Sequence, residues 1–131
     1  MLITKDCGMP IIKPFASRIK VATTVHYEPC HGMALSGLSD DLSVGGLYLR
    51  TNLLLGQNEV LKVSFPLPGQ EKVVSCNASV AWTNFAVNRR KPETPNGVGL
   101  QFEDLSLEDL IALSTFVGHH NEETTMTMPP V

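Results

Sequence analysis

Six short segments lie between residues 19 and 102, and in all of them except residues 33–43 apolar side chains recur at every second position. Because successive side chains of a strand point to opposite faces, each segment predicts a strand with one face in a core. Turn-forming glycine, proline, asparagine and aspartate residues separate the segments. Short strands at this spacing favour an antiparallel sheet that closes, or nearly closes, into a barrel. The strands are predicted at residues 19–27, 33–43, 46–51, 59–68, 72–82 and 98–102.

After the last strand the apolar period changes to three or four residues, which predicts a helix. Ser106 can cap its first turn, Asp109 completes a capping box, and Gly118 is a stop signal. The predicted fold class is therefore all-β with one C-terminal helix, and the helix is expected to cover one opening of the barrel. The apolar face of the helix is predicted to contain Leu107, Leu110, Ile111, Leu113, Phe116 and Val117.

The length of 131 residues corresponds to one domain. Residues 1–16 have no sustained apolar period and contain Pro10 and Pro14, so we expect a flexible N-terminal arm. The barrel and the helix are predicted to occupy residues 17–118. The polar residues 119–131 predict a disordered tail.

The charge balance excludes some classes of protein. Ten Lys and Arg residues and thirteen Asp and Glu residues give a net charge of −3, which argues against a nucleic-acid-binding protein. Residues 1–91 carry a charge of +4 and residues 92–131 a charge of −7, so an anionic ligand is expected on the first part of the chain. The apolar runs are too short to span a membrane, and Lys5 and Asp6 interrupt the opening residues, so a cytoplasmic protein is expected.

Two groups of residues could carry chemistry but are disfavoured by their spacing. His26, Cys30 and His31 lack a fourth ligand, and the chain has no C-x-x-C motif, so no metal site is predicted. Asp40 and Asp41 could act as a paired acid and base, but adjacent residues of a strand are expected to face opposite ways. Because no nucleophile occurs with a base and an orienting group, neither enzyme activity nor a cofactor is predicted.

Three other features favour ordinary structural roles. Trp82 ends the apolar face of the fifth strand, which favours core packing over a stacking platform for a ligand. The cysteines have no paired spacing, so reduced thiols are expected, with Cys76 as a small core residue. The basic residues 89–91 lie in a loop, where they are either solvated or assist in binding a phosphate or an acidic partner.

The most informative segment is residues 39–51, SDDLSVGGLYLRT. Gly45 and Gly46 allow a tight bend and the close approach of a flat ligand. Asp41 can accept two hydrogen bonds from one edge of a guanine, and Ser43 can donate to a phosphate. An ordinary turn capped by a side chain also explains the pattern.

This segment resembles the PilZ family, whose motif D/N-x-S-x-x-G is matched by Asp41, Ser43 and Gly46. The order of elements agrees with that family from about Ile19 to Val117. The resemblance implies a six-stranded antiparallel barrel of the split-barrel type with a C-terminal helix. It also implies binding of the bacterial second messenger cyclic di-GMP.

The second family motif, R-x-x-x-R, lies just before the first strand and is incomplete in this chain. With Arg18 as the second arginine, Pro14 occupies the position of the first, and Lys13 is the nearest cation. A lysine lacks the planar fork of arginine, so we expect binding to be weaker by about 1.5–3 kcal/mol, or roughly ten- to hundredfold. The implied ligand-binding residues are Arg18, Asp41, Ser43, Gly45, Gly46 and Lys13.

The resemblance leaves two functions open. In the first, the chain is a single-domain receptor or adaptor that binds cyclic di-GMP between the arm and the Asp41–Gly46 loop. The resulting change in arm position would then be passed to an unidentified protein partner. In the second, the chain has lost the messenger and is a protein interaction module in motility or pilus function. Either function suits a monomer or a homodimer.

Overall fold

The computed structural model describes residues 18–29, 32–86 and 93–127, with side chains as far as residue 120. Within these ranges six strands form one closed barrel in the order β1-β2-β3-β6-β5-β4, and all neighbouring pairs are antiparallel. The predicted all-β class with one C-terminal helix is confirmed. The elements are β1 (Thr24–Glu28), β2 (Leu35–Leu42), β3 (Gly46–Arg50), β4 (Val60–Pro66), β5 (Val73–Asn84), β6 (Gly97–Phe102) and α1 (Leu107–Thr127).

The apolar residues of the strands line the inside of the barrel. In β4, Leu61, Val63 and Phe65 are buried, whereas Lys62 is exposed between them. The other strands also contribute buried leucine, valine and alanine side chains, and in β3 and β6 four consecutive residues are buried. Because alternate residues of a strand face the core, apolar residues at every second position of the sequence indicate the strands.

The first strand is shorter than predicted, because the regular pairing begins only at Thr24. Residues 19–23 still follow β2, but a side chain replaces part of the backbone ladder. The buried hydroxyl of Ser39 accepts a hydrogen bond from the Thr23 backbone N–H at 3.0 Å and donates to the Val21 carbonyl at 2.7 Å. At the start of this segment, Ile19 and Leu42 exchange two backbone hydrogen bonds of 3.0 Å. These contacts fix the chain next to Arg18.

The helix begins as predicted, because the Ser106 hydroxyl accepts a hydrogen bond from the Asp109 backbone N–H at 3.0 Å. Its predicted apolar face is only half correct. Leu113, Phe116 and Val117 are buried, but Leu107, Leu110 and Ile111 are exposed. Asp109 takes the buried position of the first turn, where its carboxylate contacts Lys72 Nζ at 2.9 Å and accepts from the Ser75 N–H at 3.3 Å.

The helix does not end at Gly118 as predicted, but continues to Thr127. A glycine ends a helix when it adopts a left-handed conformation, and Gly118 is not among the glycines with positive φ. Within a helix a glycine costs about 1 kcal/mol relative to alanine, which a long helix tolerates. Residues 119–127, expected in the tail, are therefore helical, and residues 128–131 and the predicted arm lie outside the described residues. In the described part of the chain, no helix is long and apolar enough to cross a membrane.

Replacement of Asp109 by alanine should lower the free energy of unfolding by about 1–3 kcal/mol, because the Ser75 N–H loses its acceptor. The hydrogen bond with Lys72 holds the pKa of Asp109 below its usual value, against the opposing effect of burial. This stabilisation is complete above the pKa of the unfolded state, about 3.9, and is lost as the pH falls through the lower folded-state pKa. Urea unfolding at pH 7 and below about pH 3 measures both effects.

Glu108→Ala is the matched control, because Glu108 also faces Lys72, but at 3.7 Å and with a side chain that is 85% exposed. We expect it to change the stability by less than about 0.5 kcal/mol. Equal losses for the two variants would show that Asp109 acts only as a surface charge.

Candidate functional site

A β-bulge in β2 determines the geometry of the candidate site. Ser39 pairs with Leu49, but Asp41 pairs with Tyr48, so the register shifts by one residue between them. Ser39 and Leu42 are both buried, and the two residues between them project outward. The expectation that Asp40 and Asp41 face opposite ways is therefore wrong, because the extra residue of the bulge interrupts the alternation.

Arg18 and Asp41 form an ion pair on this outward face. Arg18 Nη1 lies 2.6 Å from Asp41 Oδ1, and the Tyr48 backbone N–H donates to the same oxygen at 3.1 Å. The Arg18 side chain is 45% exposed and the Asp41 side chain 16%. The sequence motif and the residue before the first strand are thus in direct contact, although 23 positions separate them.

The Ser43 side chain caps the turn between β2 and β3. Its hydroxyl accepts hydrogen bonds from the backbone N–H groups of Gly45 and Gly46, each at 3.2 Å, and donates to the Gly46 carbonyl at 3.3 Å. The Ser43 N–H also donates to the Gly46 carbonyl, at 2.8 Å. The hydroxyl that the resemblance assigns to the ligand is therefore used inside the turn, as in the side-chain-capped turn that the pattern also allowed.

The two glycines of the turn differ in their surroundings. A Cβ atom on Gly46 would lie 1.9 Å from the Leu100 carbonyl oxygen, so the close approach of β3 to β6 requires glycine. A Cβ atom on Gly45 would meet only the Ser43 hydroxyl, at 4.0 Å, and Gly45 is exposed. Gly46 therefore serves the barrel, whereas Gly45 leaves open space on the surface.

Arg50 is a charged residue of this face that the sequence analysis did not select. Its Nη2 and Nε atoms lie 2.5 Å and 3.1 Å from Asp40 Oδ1. The Arg50 side chain is 43% exposed and that of Asp40 19%. Arg50 follows the inward-facing Leu49 and therefore points outward, but only the bulge places it beside an aspartate.

Trp82 lies outside the core, contrary to the prediction. A second register shift, between Val80 and Trp82, places its ring over Gly99, where a Cβ atom would lie 1.9 Å from Trp82 Nε1. The half-buried ring packs against Tyr48 with 5.3 Å between ring centroids and 30° between planes. This aromatic pair covers the outer wall of β3, β6 and β5 next to Asp41.

A groove of about 610 Å³ lies on the wall formed by β1, β4 and β5. His26, Lys62 and Asn77 line it, whereas none of the described residues predicted to bind the ligand does. Cys76 also lines the groove, and burial raises the pKa of its thiol to about 12, with smaller contributions from two carboxylates. This thiol is therefore protonated at neutral pH.

Several residues singled out in the sequence lie outside the described residues, namely Lys13, Cys30, His31 and residues 89–91. Their placement therefore stays a prediction. Among the residues with described side chains, no three histidine, cysteine, aspartate or glutamate residues come together as a metal site would require.

Comparison with known protein families identifies one match. The family model for the PilZ domain matches residues 15–119. No curated protein is significantly similar in sequence.

Three solved structures share the fold. The Bacillus subtilis inhibitor of motility, MotI/DgrA, is 20% identical with a TM-score of 0.68, and the alignment covers 81% of this chain and 50% of that protein. This chain thus spans about half of that protein's length. The PilZ domain of YcgR from Escherichia coli, solved with c-di-GMP, is 15% identical with a TM-score of 0.61 and coverages of 88% and 96%. The PilZ domain of CeSA from a cellulose-synthesizing bacterium is 17% identical with a TM-score of 0.52 and coverages of 81% and 99%.

The difference between the two glycines can be tested by adding one methyl group to each. Gly46→Ala should destabilise the barrel by about 3 kcal/mol, because the new Cβ collides with the Leu100 carbonyl. Gly45→Ala should change the stability by less than about 0.5 kcal/mol. Thermal unfolding followed by circular dichroism measures both. Similar stabilities of the two variants would show that β3 and β6 can separate at this point without cost.

Proposed function

The chain belongs to the PilZ domain family, and we propose that it is a receptor that binds cyclic di-GMP and signals through contact with a protein partner. The observation that carries this proposal is the contact of Arg18 with Asp41 on the outer surface of the bulge (the bulge face: Arg18, Asp40, Asp41 and Arg50). These two residues come from the two family motifs. Their contact brings a cation and a carboxylate together on an accessible surface.

The chemistry of the pair suits a guanine nucleotide. A carboxylate accepts hydrogen bonds from the two N–H groups on one edge of guanine, and a guanidinium binds a phosphate or stacks on the base. Arg18 and Tyr48 share one oxygen of Asp41, and a carboxylate offers about four acceptor positions. An exposed ion pair contributes only about 0.2–1 kcal/mol, so a ligand can displace Arg18 from Asp41 at low cost.

The turn supports the pair as a rigid platform. The Ser43 hydroxyl cap orders the backbone of the turn, and the Phe102 N–H donates to the Gly45 carbonyl at 2.9 Å. A ligand that binds next to Gly45 would therefore meet a backbone that is already ordered. Because little ordering remains to be done, the site is suited to a small and rigid cyclic ligand.

Pro14 favours a second candidate function, in which the domain has lost the messenger and acts only as a protein interaction module in motility or pilus function. Proline carries neither charge nor a side-chain donor, so it cannot replace the first arginine of the R-x-x-x-R motif. Lys13 provides a charge one position earlier, but not a planar fork.

Isothermal titration with cyclic di-GMP tests the proposed function. We expect saturable binding by the unchanged protein, and affinities lower by roughly ten- to hundredfold for Arg18→Ala and Asp41→Ala. Lys62→Ala is the control, because it removes an exposed positive charge from the opposite wall and should leave the affinity unchanged. No heat of binding at high micromolar ligand would contradict the proposal and favour the interaction module.

Introducing an arginine at position 14 distinguishes a site that binds cyclic di-GMP weakly from one that no longer binds it. If Pro14 is the main defect, Pro14→Arg should strengthen the binding of cyclic di-GMP by roughly tenfold or more, because it adds a charge-assisted hydrogen bond. The same titration measures this gain, with Pro14→Ala as the matched control for the loss of proline. Equal affinities of Pro14→Arg and Pro14→Ala would show that the arm does not bring this position to the ligand.

A further inference from the structure

The two arginines of the bulge face have closely similar environments. Arg18 lies 2.6 Å from Asp41, and Arg50 lies 2.5 Å from Asp40. Their side chains are 45% and 43% exposed. Asp40 and Asp41 are consecutive, so their Cα atoms are about 3.8 Å apart. The two guanidinium groups therefore flank one pair of adjacent carboxylates on the outside of the barrel.

A cyclic dinucleotide carries two phosphates, and a site for it needs more than one positive charge. The position of the first arginine in R-x-x-x-R is occupied by Pro14, which leaves Arg18 as the one arginine of that motif. We propose that Arg50 is a ligand-binding residue that supplies the second guanidinium for cyclic di-GMP. This inference rests on the proposed function and extends it to a residue outside both motifs.

The surroundings of Arg50 leave its guanidinium accessible. The Tyr48 ring lies over Gly97, its paired residue on β6, and the Arg50 side chain nevertheless remains 43% exposed. The ion pair with Asp40 is at the surface, where such pairs contribute at most about 1 kcal/mol. A phosphate can therefore take the guanidinium from Asp40 at a cost smaller than the gain from a charge-assisted hydrogen bond.

The alternative role of Arg50 is to neutralise Asp40, which would otherwise repel an anionic ligand. Both roles predict weaker binding by Arg50→Ala, so that variant alone does not separate them. The double variant Asp40→Ala/Arg50→Ala does, because it removes the repelling carboxylate together with the arginine. If Arg50 contacts the ligand, the double variant still binds cyclic di-GMP weakly. If Arg50 only neutralises Asp40, the affinity of the double variant returns to that of the unchanged protein.

Isothermal titration with cyclic di-GMP on the full chain tests the inference. We expect Arg50→Ala to lower the affinity by roughly ten- to hundredfold, the double variant to remain at least about tenfold weaker, and Asp40→Ala to bind at least as tightly as the unchanged protein. Lys62→Ala again controls for the loss of one positive charge. Circular dichroism verifies that each variant is folded, and Arg50→Gln replaces Arg50→Ala if the shorter side chain disturbs the bulge.

The outcomes separate this inference from the function on which it rests. If the unchanged protein binds and Arg18→Ala does not, but Arg50→Ala binds normally, the inference is overturned and the proposed function stands. Full recovery in the double variant also overturns it. If the unchanged protein does not bind, the proposed function and this inference both fail.

Discussion

One additional residue in β2 determines the arrangement of the candidate site. Without the bulge, the alternation of the strand would turn one of the two aspartates toward the core, where an unpaired carboxylate is costly. With it, both carboxylates lie outside, and each meets an arginine that arrives from a different segment. The bulge also leaves the Ser39 hydroxyl inside, where it binds the chain that carries Arg18. The same local irregularity thus creates the charged face and positions its first arginine.

The site and the barrel depend on the same backbone contacts. The Gly46 backbone pairs with Gln101, and the neighbouring carbonyl of Gly45 accepts a hydrogen bond from Phe102, so the turn is part of the β3–β6 interface. The packing of β3 against β6 already requires glycine at position 46, whether or not a ligand binds. A glycine in a binding motif can therefore be required by the fold, and loss of binding in a variant of Gly46 would have to be separated from loss of structure.

The fold could be predicted from the sequence because inward residues alternate, and the strands lie close to the predicted positions. The start of the helix could be predicted because Ser106 is a local signal, whereas Gly118 was misleading because the helix tolerates it. The family resemblance assigned Arg18 and Asp41 to one ligand, but their direct contact was not predicted. The spacing of apolar residues does not reveal where a strand contains a bulge. The outward position of Trp82 and the ion pair of Arg50 with Asp40 could therefore not be predicted.

The uneven charge of the chain has a structural explanation in the segment after β6. Three of its carboxylates accept hydrogen bonds from alternate outward residues of β5: Glu103 from Ser79, Asp104 from Asn77 at 2.7 and 2.8 Å, and Asp109 from Ser75. The acidic side chains thus fasten the start of the helix to β5. The two arginine–aspartate pairs lie on the β2–β3 side of the barrel, which shares no hydrogen-bonded edge with β5. Because the helix attachment concentrates negative charge on the β5 wall, an anionic ligand is disfavoured there, and the bulge face is the more favourable surface for its approach.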